Sequence, residues 1–209
     1  MEAIQATIMY FHKGGLVMWP LLACSIAVIS IAVERFLFYK ASDSGSAFAR
    51  SYCSTVLTKG VHEATAFANN ADGECARILC AAAQMEGGRA VKSAYLEGQA
   101  GILLAQLRNK LDYLSIIVTM SPLLGLLGTI VGMIGAFSIF NLEAGAPLAI
   151  TGGIGEALIA TATGLCVAIL SLCAHSYFNH RLDNMITDME QCFSALLEAE
   201  ARSEQHEVA

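Results

Sequence analysis

From Tyr113 to Phe140 the chain runs for 28 residues without a charge. As a helix rising ~1.5 Å per residue, this run is about 42 Å long, more than a ~30 Å hydrocarbon core can hold. It reads as a membrane span with one end standing outside the lipid, continuous with a soluble helix starting near Arg89. Pro122 inside it predicts a kink rather than a stop. A second run, Pro147 to about Tyr177, is interrupted only by Glu156. A third, Leu16 to Val33, has 18 uncharged residues and ends at Glu34-Arg35-Phe36-Leu37-Phe38-Tyr39-Lys40, a charged and aromatic boundary. The short link Asn141 to Pro147 makes the last two spans an antiparallel hairpin.

Only 14% of the 209 residues are charged and 56% are hydrophobic, whereas soluble domains carry about 25% charge. The fold class is therefore all-α, an integral membrane protein with three transmembrane helices. A net charge of −6 excludes nucleic acid as a partner, which needs a concentrated basic face. The seven cysteines form no C-x-x-C. Cys75 and Cys80 lack nearby histidines, and no metal or cofactor is expected. Cys24, Cys166 and Cys173 lie in apolar runs and read as small packing residues. The first run is not a cleaved signal, because no small-residue cleavage site follows it.

Lys and Arg set the direction. With the N-terminus outside, Arg35, Lys40, Arg108, Lys110 and Arg181 all flank the inner face, and only Lys13 lies opposite. The expected division is an interfacial amphipathic helix over 1–15, spanning helix 16–39, cytoplasmic helical segment 40–112, spanning helix 113–140, outer loop 141–147, spanning helix 148–178, and cytoplasmic helix and tail 179–209. In the middle segment, "SDSGSAF" offers N-cap residues, Asn69–Gly73 predicts a turn, and Gly87-Gly88 separates two helices. In the tail, Leu182, Met185, Ile186, Met189, Phe193, Leu196 and Leu197 follow the 3–4 spacing of an amphipathic helix that continues the third span.

The hairpin carries two stripes of small residues: Gly125, Gly128, Gly132 and Gly135 on one arm, and Gly153, Ala157, Ala160, Gly164 and Ala168 on the other. Such stripes let membrane helices approach closely, and two of them suggest an oligomer. Counting from the hairpin midpoint, Thr129 and Thr161 fall at similar depth, and Glu156 is level with Gly132, near mid-membrane. A buried charge there costs ~2.5–3.5 kcal/mol, so such groups face protein or water. Matched depth suggests that Thr129 and Thr161 line a polar path. Thr163 fits a bond to its own i−4 carbonyl, with an additional pore hydroxyl as the second reading. Glu156 suits either a proton pathway or a structural hydrogen bond.

"SPLLGLLGTIVGMIGAF" (121–137), "GGIGEALIATATGLCVAI" (152–169) and "MWPLLACSIAVISIAVERF" (18–36) resemble the three spans of the MotA/TolQ/ExbB proton channel family, closest to its ExbB and TolQ branch. The resemblance implies a homo-oligomeric ring, a pentamer, around the single-span helices of two ExbD/TolR-type partners. It also implies an energy transducer of the TonB or TolA type, a Gram-negative inner membrane with the N-terminus periplasmic, and H⁺ as the transported ion, with Na⁺ left open. It places Thr129 and Thr161 at the family's pore threonines and Glu156 at its intramembrane glutamate. "GTIVG" lacks the tryptophan often found in that motif, and Thr163 adds a hydroxyl.

These features point to an ExbB-like subunit energising outer-membrane transport, with a TolQ-like envelope-integrity role as the alternative. A passive scaffold is a third reading. An internal repeat expected of a transporter is missing, and no nucleophile, base and orienting group converge as an enzyme requires.

Overall fold

The computed structural model describes residues 14–142 and 147–207. The predicted interfacial helix up to residue 13, the hairpin turn at 143–146 and residues 208–209 lie outside it. Among the described residues there are seven helices and no strand: α1 (Met18–Ser42), α2 (Ser46–Lys59), α3 (Val61–Asn69), α4 (Glu74–Gln84), α5 (Arg89–Arg108), α6 (Leu111–Leu142) and α7 (Pro147–Glu207). Three of them, α1, α6 and α7, are long and apolar enough to cross a membrane. The chain forms two compact units. One joins the described residues up to Val33 with Lys110–Tyr177, and the other joins Glu34–Asn109 with the chain from Phe178 onward.

In the first unit the hairpin seam is built of small residues, with large side chains such as Leu21 and Leu114 buried beside it. Gly125, Gly128, Gly132, Ala136, Ala157, Ala160 and Gly164 are buried. The opposite face of α6 exposes Leu123, Leu126, Ile130, Ile134 and Phe137. That outward apolar surface is what a lipid- or protein-facing helix presents. Gly135 departs from the expected stripe: it is exposed, and nothing lies within 4 Å of where its Cβ would be. Helical geometry gives the reason. At ~100° per residue Gly135 falls about 80° from Gly125, whereas Ala136 falls about 20° away on the other side and takes the place against Gly153. Cys166 and Cys173 are exposed in the single chain rather than packed, because they too face away from the seam.

The second unit has a conventional core. Phe48, Tyr52 and Val56 of α2 are buried with Ile78 and Leu79 of α4 and Leu96, Leu103 and Leu107 of α5. Phe48 stacks on both Tyr52 and Phe67. On α7 the buried positions from Leu182 onward are Leu182, Met185, Met189, Cys192 and Leu196, in alternating steps of three and four. Cys192 belongs to that stripe, which the sequence reading had passed over. Ile186, Phe193 and Leu197 flank it half-buried. Lys92 of α5 pairs with Glu200 of α7 at 2.5 Å, both nearly buried.

Two local expectations are corrected. The helix does not run unbroken from Arg89 into the span: α5 ends at Arg108 and α6 begins at Leu111, with Lys110 at φ +69 between them. Arg35 makes the break favourable, its Nη1 donating to the carbonyls of Gln106 (3.0 Å) and Asn109 (3.1 Å), while the Tyr39 hydroxyl donates to Leu107 O (3.1 Å). These supply partners for the carbonyls that a helix end leaves unpaired. The start of α2 likewise has no side-chain cap. Asp43 instead accepts from the Gly45 amide at 2.8 Å, and Ser44 Oγ accepts from the Ala76 amide in the first turn of α4 at 3.4 Å. The predicted turn near Asn69–Gly73 and the break at Gly87-Gly88 fall between α3 and α4 and between α4 and α5. α6 runs through Pro122 without ending.

Candidate functional site

The site is built on the α6–α7 seam, and its register follows from close contacts. A Cβ at Gly125 would lie 3.1 Å from Thr161 Cα and 3.3 Å from the Ala160 and Thr161 carbonyls. A Cβ at Gly128 would meet Ala160, one at Gly132 would meet Gly153 O at 3.1 Å and Ala157 at 3.3 Å, and one at Gly153 would strike Ala136. Gly164 faces Ser121 O and Gly125. Thr161 therefore sits opposite Gly125, within a helical turn of Thr129, as the matched-depth count expects.

The three threonine hydroxyls donate to backbone. Thr161 Oγ1 is shared between Gly125 O across the seam (3.1 Å) and Ala157 O on its own helix (3.3 Å). Thr129 Oγ1 donates to Leu126 O at 2.7 Å, on the exposed side of α6. Thr163 Oγ1 donates to Ile159 O at 2.8 Å, the i−4 bond expected of it. A threonine whose one proton is committed still offers lone pairs. Thr129 and Thr161 thus present acceptors rather than donors.

Glu156 is placed differently from the mid-membrane expectation. Its carboxyl lies against Gly15, just before α1, and Ile159, one turn along α7, faces Gly14. Val17 faces Gly128. Glu156 is thus beside the beginning of the first apolar run, not its middle. The hairpin arms are longer than that 18-residue run, so their turn-proximal ends extend past its start. Counting from the hairpin alone could not reveal this overhang.

Two serines that the sequence reading left out also belong to the seam. Ser171 Oγ, fully buried on α7, donates to Leu114 O of α6 at 2.9 Å. Ser121 Oγ is fully buried with no hydrogen-bond partner, beside the close approach of Gly164 to the Ser121 carbonyl. Among the described residues no cluster of His, Cys, Asp or Glu could hold a metal ion.

The sequence model of the MotA/TolQ/ExbB proton channel family matches residues 55–191, which contain the whole seam and well over half of the chain. The chain belongs to that family. An ExbB-like biopolymer transport protein of Synechocystis sp. is 33% identical over 164 residues, 76% of this chain and 78% of that one. A biopolymer transport protein of the ExbB type from Vibrio cholerae is 26% identical over 183 residues, covering 84% and 80%. The Tol-Pal system protein TolQ of Haemophilus influenzae is 35% identical over 86 residues, covering 41% and 38%. The MotA/TolQ/ExbB family is one of proton channels, not of enzymes. Its membership and the three apolar helices make this chain a multi-pass membrane protein of the ExbB/TolQ type.

Proposed function

We propose that this chain is the ring-forming, ExbB-like subunit of an inner-membrane motor driven by the proton-motive force. Five copies would surround the single-span helices of two ExbD-type partners, with N-termini in the periplasm and α7 extending into the cytoplasm. A TonB-type transducer would carry the work to outer-membrane transport. The observation that carries the reading is the state of the two pore threonines. Thr129 and Thr161 give their protons to backbone carbonyls, which leaves oxygen lone pairs free to accept. A neutral carboxylic acid has an O–H to donate to them; an ionised carboxylate can only accept. A partner's acid would therefore pass this wall after taking up a proton and be held back once it has released it.

That preference turns an ion gradient into direction. One charge moving through ~100 mV releases about 2.3 kcal/mol, enough for a repeated small step. Thr163, its hydroxyl bonded within α7, serves the helix rather than the path.

The test is Thr161→Val against Thr161→Ser, each co-expressed with the single-span partner. Valine should abolish proton-gradient-driven work while leaving the complex assembled, and serine should keep it. Wild-type work with valine would remove Thr161 from the path. The match to a TolQ protein over 86 residues supports a second reading, a TolQ-like subunit of an envelope-integrity system with a TolA-type transducer. The two readings differ in which defect follows: loss of an energised uptake, or loss of envelope integrity during division.

A further inference from the structure

Gly15 stands at φ +71, and a Cβ built on it would fall onto the Glu156 carboxyl, with Oε1 nearest and then Cδ at 2.9 Å and Cγ at 3.4 Å. The carboxyl is therefore in contact with the Gly15 Cα, and there is no room between them for even a methyl group. The neighbouring positions seat on the same hairpin. The Cβ position of Gly14 is 3.3 Å from Ile159 Cγ2, and Val17 lies 3.6 Å from the Cβ position of Gly128. Gly15 O accepts the first turn bond of α1, from the Met18 amide at 3.2 Å. The opening amides of a helix have no partner within it and form the positive end of its dipole, where a carboxylate is stabilised.

We propose that Glu156 is a positioning residue: its carboxyl seats the start of the first span on the hairpin formed by the second and third, and Gly15 is the glycine that makes room for it. This explains a single acid in an otherwise uncharged stretch, and a glycine at position 15 immediately before the first apolar run. It rests on the proposed motor function only where activity is the readout.

A double-mutant cycle separates this role from the backbone demand of φ +71, which Gly15→Ala violates in any background. Gly15→Ala, Glu156→Asp and the double variant are made in the full chain with its single-span partner. They are scored for proton-gradient-driven work and for folded protein in the membrane. Aspartate withdraws the carboxyl by one methylene and keeps the acid group. Gly15→Ala should therefore cost about tenfold or more alone, and less than about threefold in the Glu156→Asp background. Equal losses in both backgrounds would overturn the proposal, since backbone strain alone would then account for Gly15. Where Gly15→Ala depletes the protein, the same ratio is read from the amount of folded chain. If the unaltered chain with its partner does no proton-gradient-driven work, the motor reading falls, and the cycle read as folded protein still decides the role of Glu156.

Discussion

A methyl group placed on Gly164 would come within 2.5 Å of Ser121 O, 3.0 Å of Gly125 Cα and 3.2 Å of Gly125 N. All three are backbone atoms of the facing helix, so relief requires the two arms to move apart at this point. Overpacking of this kind costs ~1–3 kcal/mol. Gly135 meets nothing, and alanine there removes a flexible residue from a helix interior, a gain of up to about 1 kcal/mol. Gly164→Ala should therefore lower the thermal midpoint of the detergent-solubilised protein, and Gly135→Ala should hold or raise it. The reverse order would mean that the seam is not where the glycines place it. The stripe was visible in the sequence as spacing, but its centre was not. Counting glycines alone includes Gly135 and leaves out Ala136, although only the angular position decides which of them faces Gly153. Nor could spacing show that Glu156 meets Gly15, because that contact joins segments far apart in the chain.

The boundary between α5 and α6 shows what sequence reasoning at the level of elements can miss. Asn109-Lys110 contains neither Gly nor Pro, and it stands between two good helical patterns, so nothing local announces a break. The break is held from a distance by Arg35 and Tyr39 of α1, whose side chains reach the carbonyls of Gln106, Leu107 and Asn109. The presence of Glu34-Arg35 at the end of the first run was legible as a membrane boundary; its second use as a cap was not. By contrast, α7 was legible throughout. An apolar run passing directly into a 3–4 pattern with no helix breaker between them predicts one long helix, and the structure has one of 61 residues. At the break, Lys110 adopts φ +69, a left-handed conformation that costs a side-chain-bearing residue ~1–2 kcal/mol. Lys110→Gly should therefore stabilise the protein by about 1 kcal/mol, read as a higher thermal midpoint. A fall would show that the lysine side chain contributes more than its backbone costs.

The whole molecule combines two kinds of core. The first unit combines close backbone approach along a seam of small residues with a few buried aliphatic side chains such as Leu21 and Leu114, while the second buries aromatic and aliphatic side chains as a soluble protein does. The second also carries a carboxyl whose protonation is tied to its burial. Asp188 lies on α7 beside a cavity of about 10 Å³ that it shares with Asp43, Ser42 and Ser44, room for about one water. Burial raises its pKa and Asp43 raises it further, while Arg50 and Arg181 pull it down without cancelling the rise. Arg181 is already paired with Asp43 at 2.5 Å. Because the folded chain binds this proton more tightly than the unfolded one, the stabilisation is complete below the ordinary carboxylate pKa of ~3.9. It is lost as the pH rises through the folded-state value. At neutral pH the ionised carboxylate is a net cost, and asparagine keeps its shape without its charge. Asp188→Asn should therefore unfold at a higher temperature than the unaltered chain at pH 7, with the gap closing as the pH is lowered toward 4. An unchanged midpoint at pH 7, or a gap that widens in acid, would mean that Arg50 and Arg181 outweigh burial and that Asp188 is held as a stabilising anion.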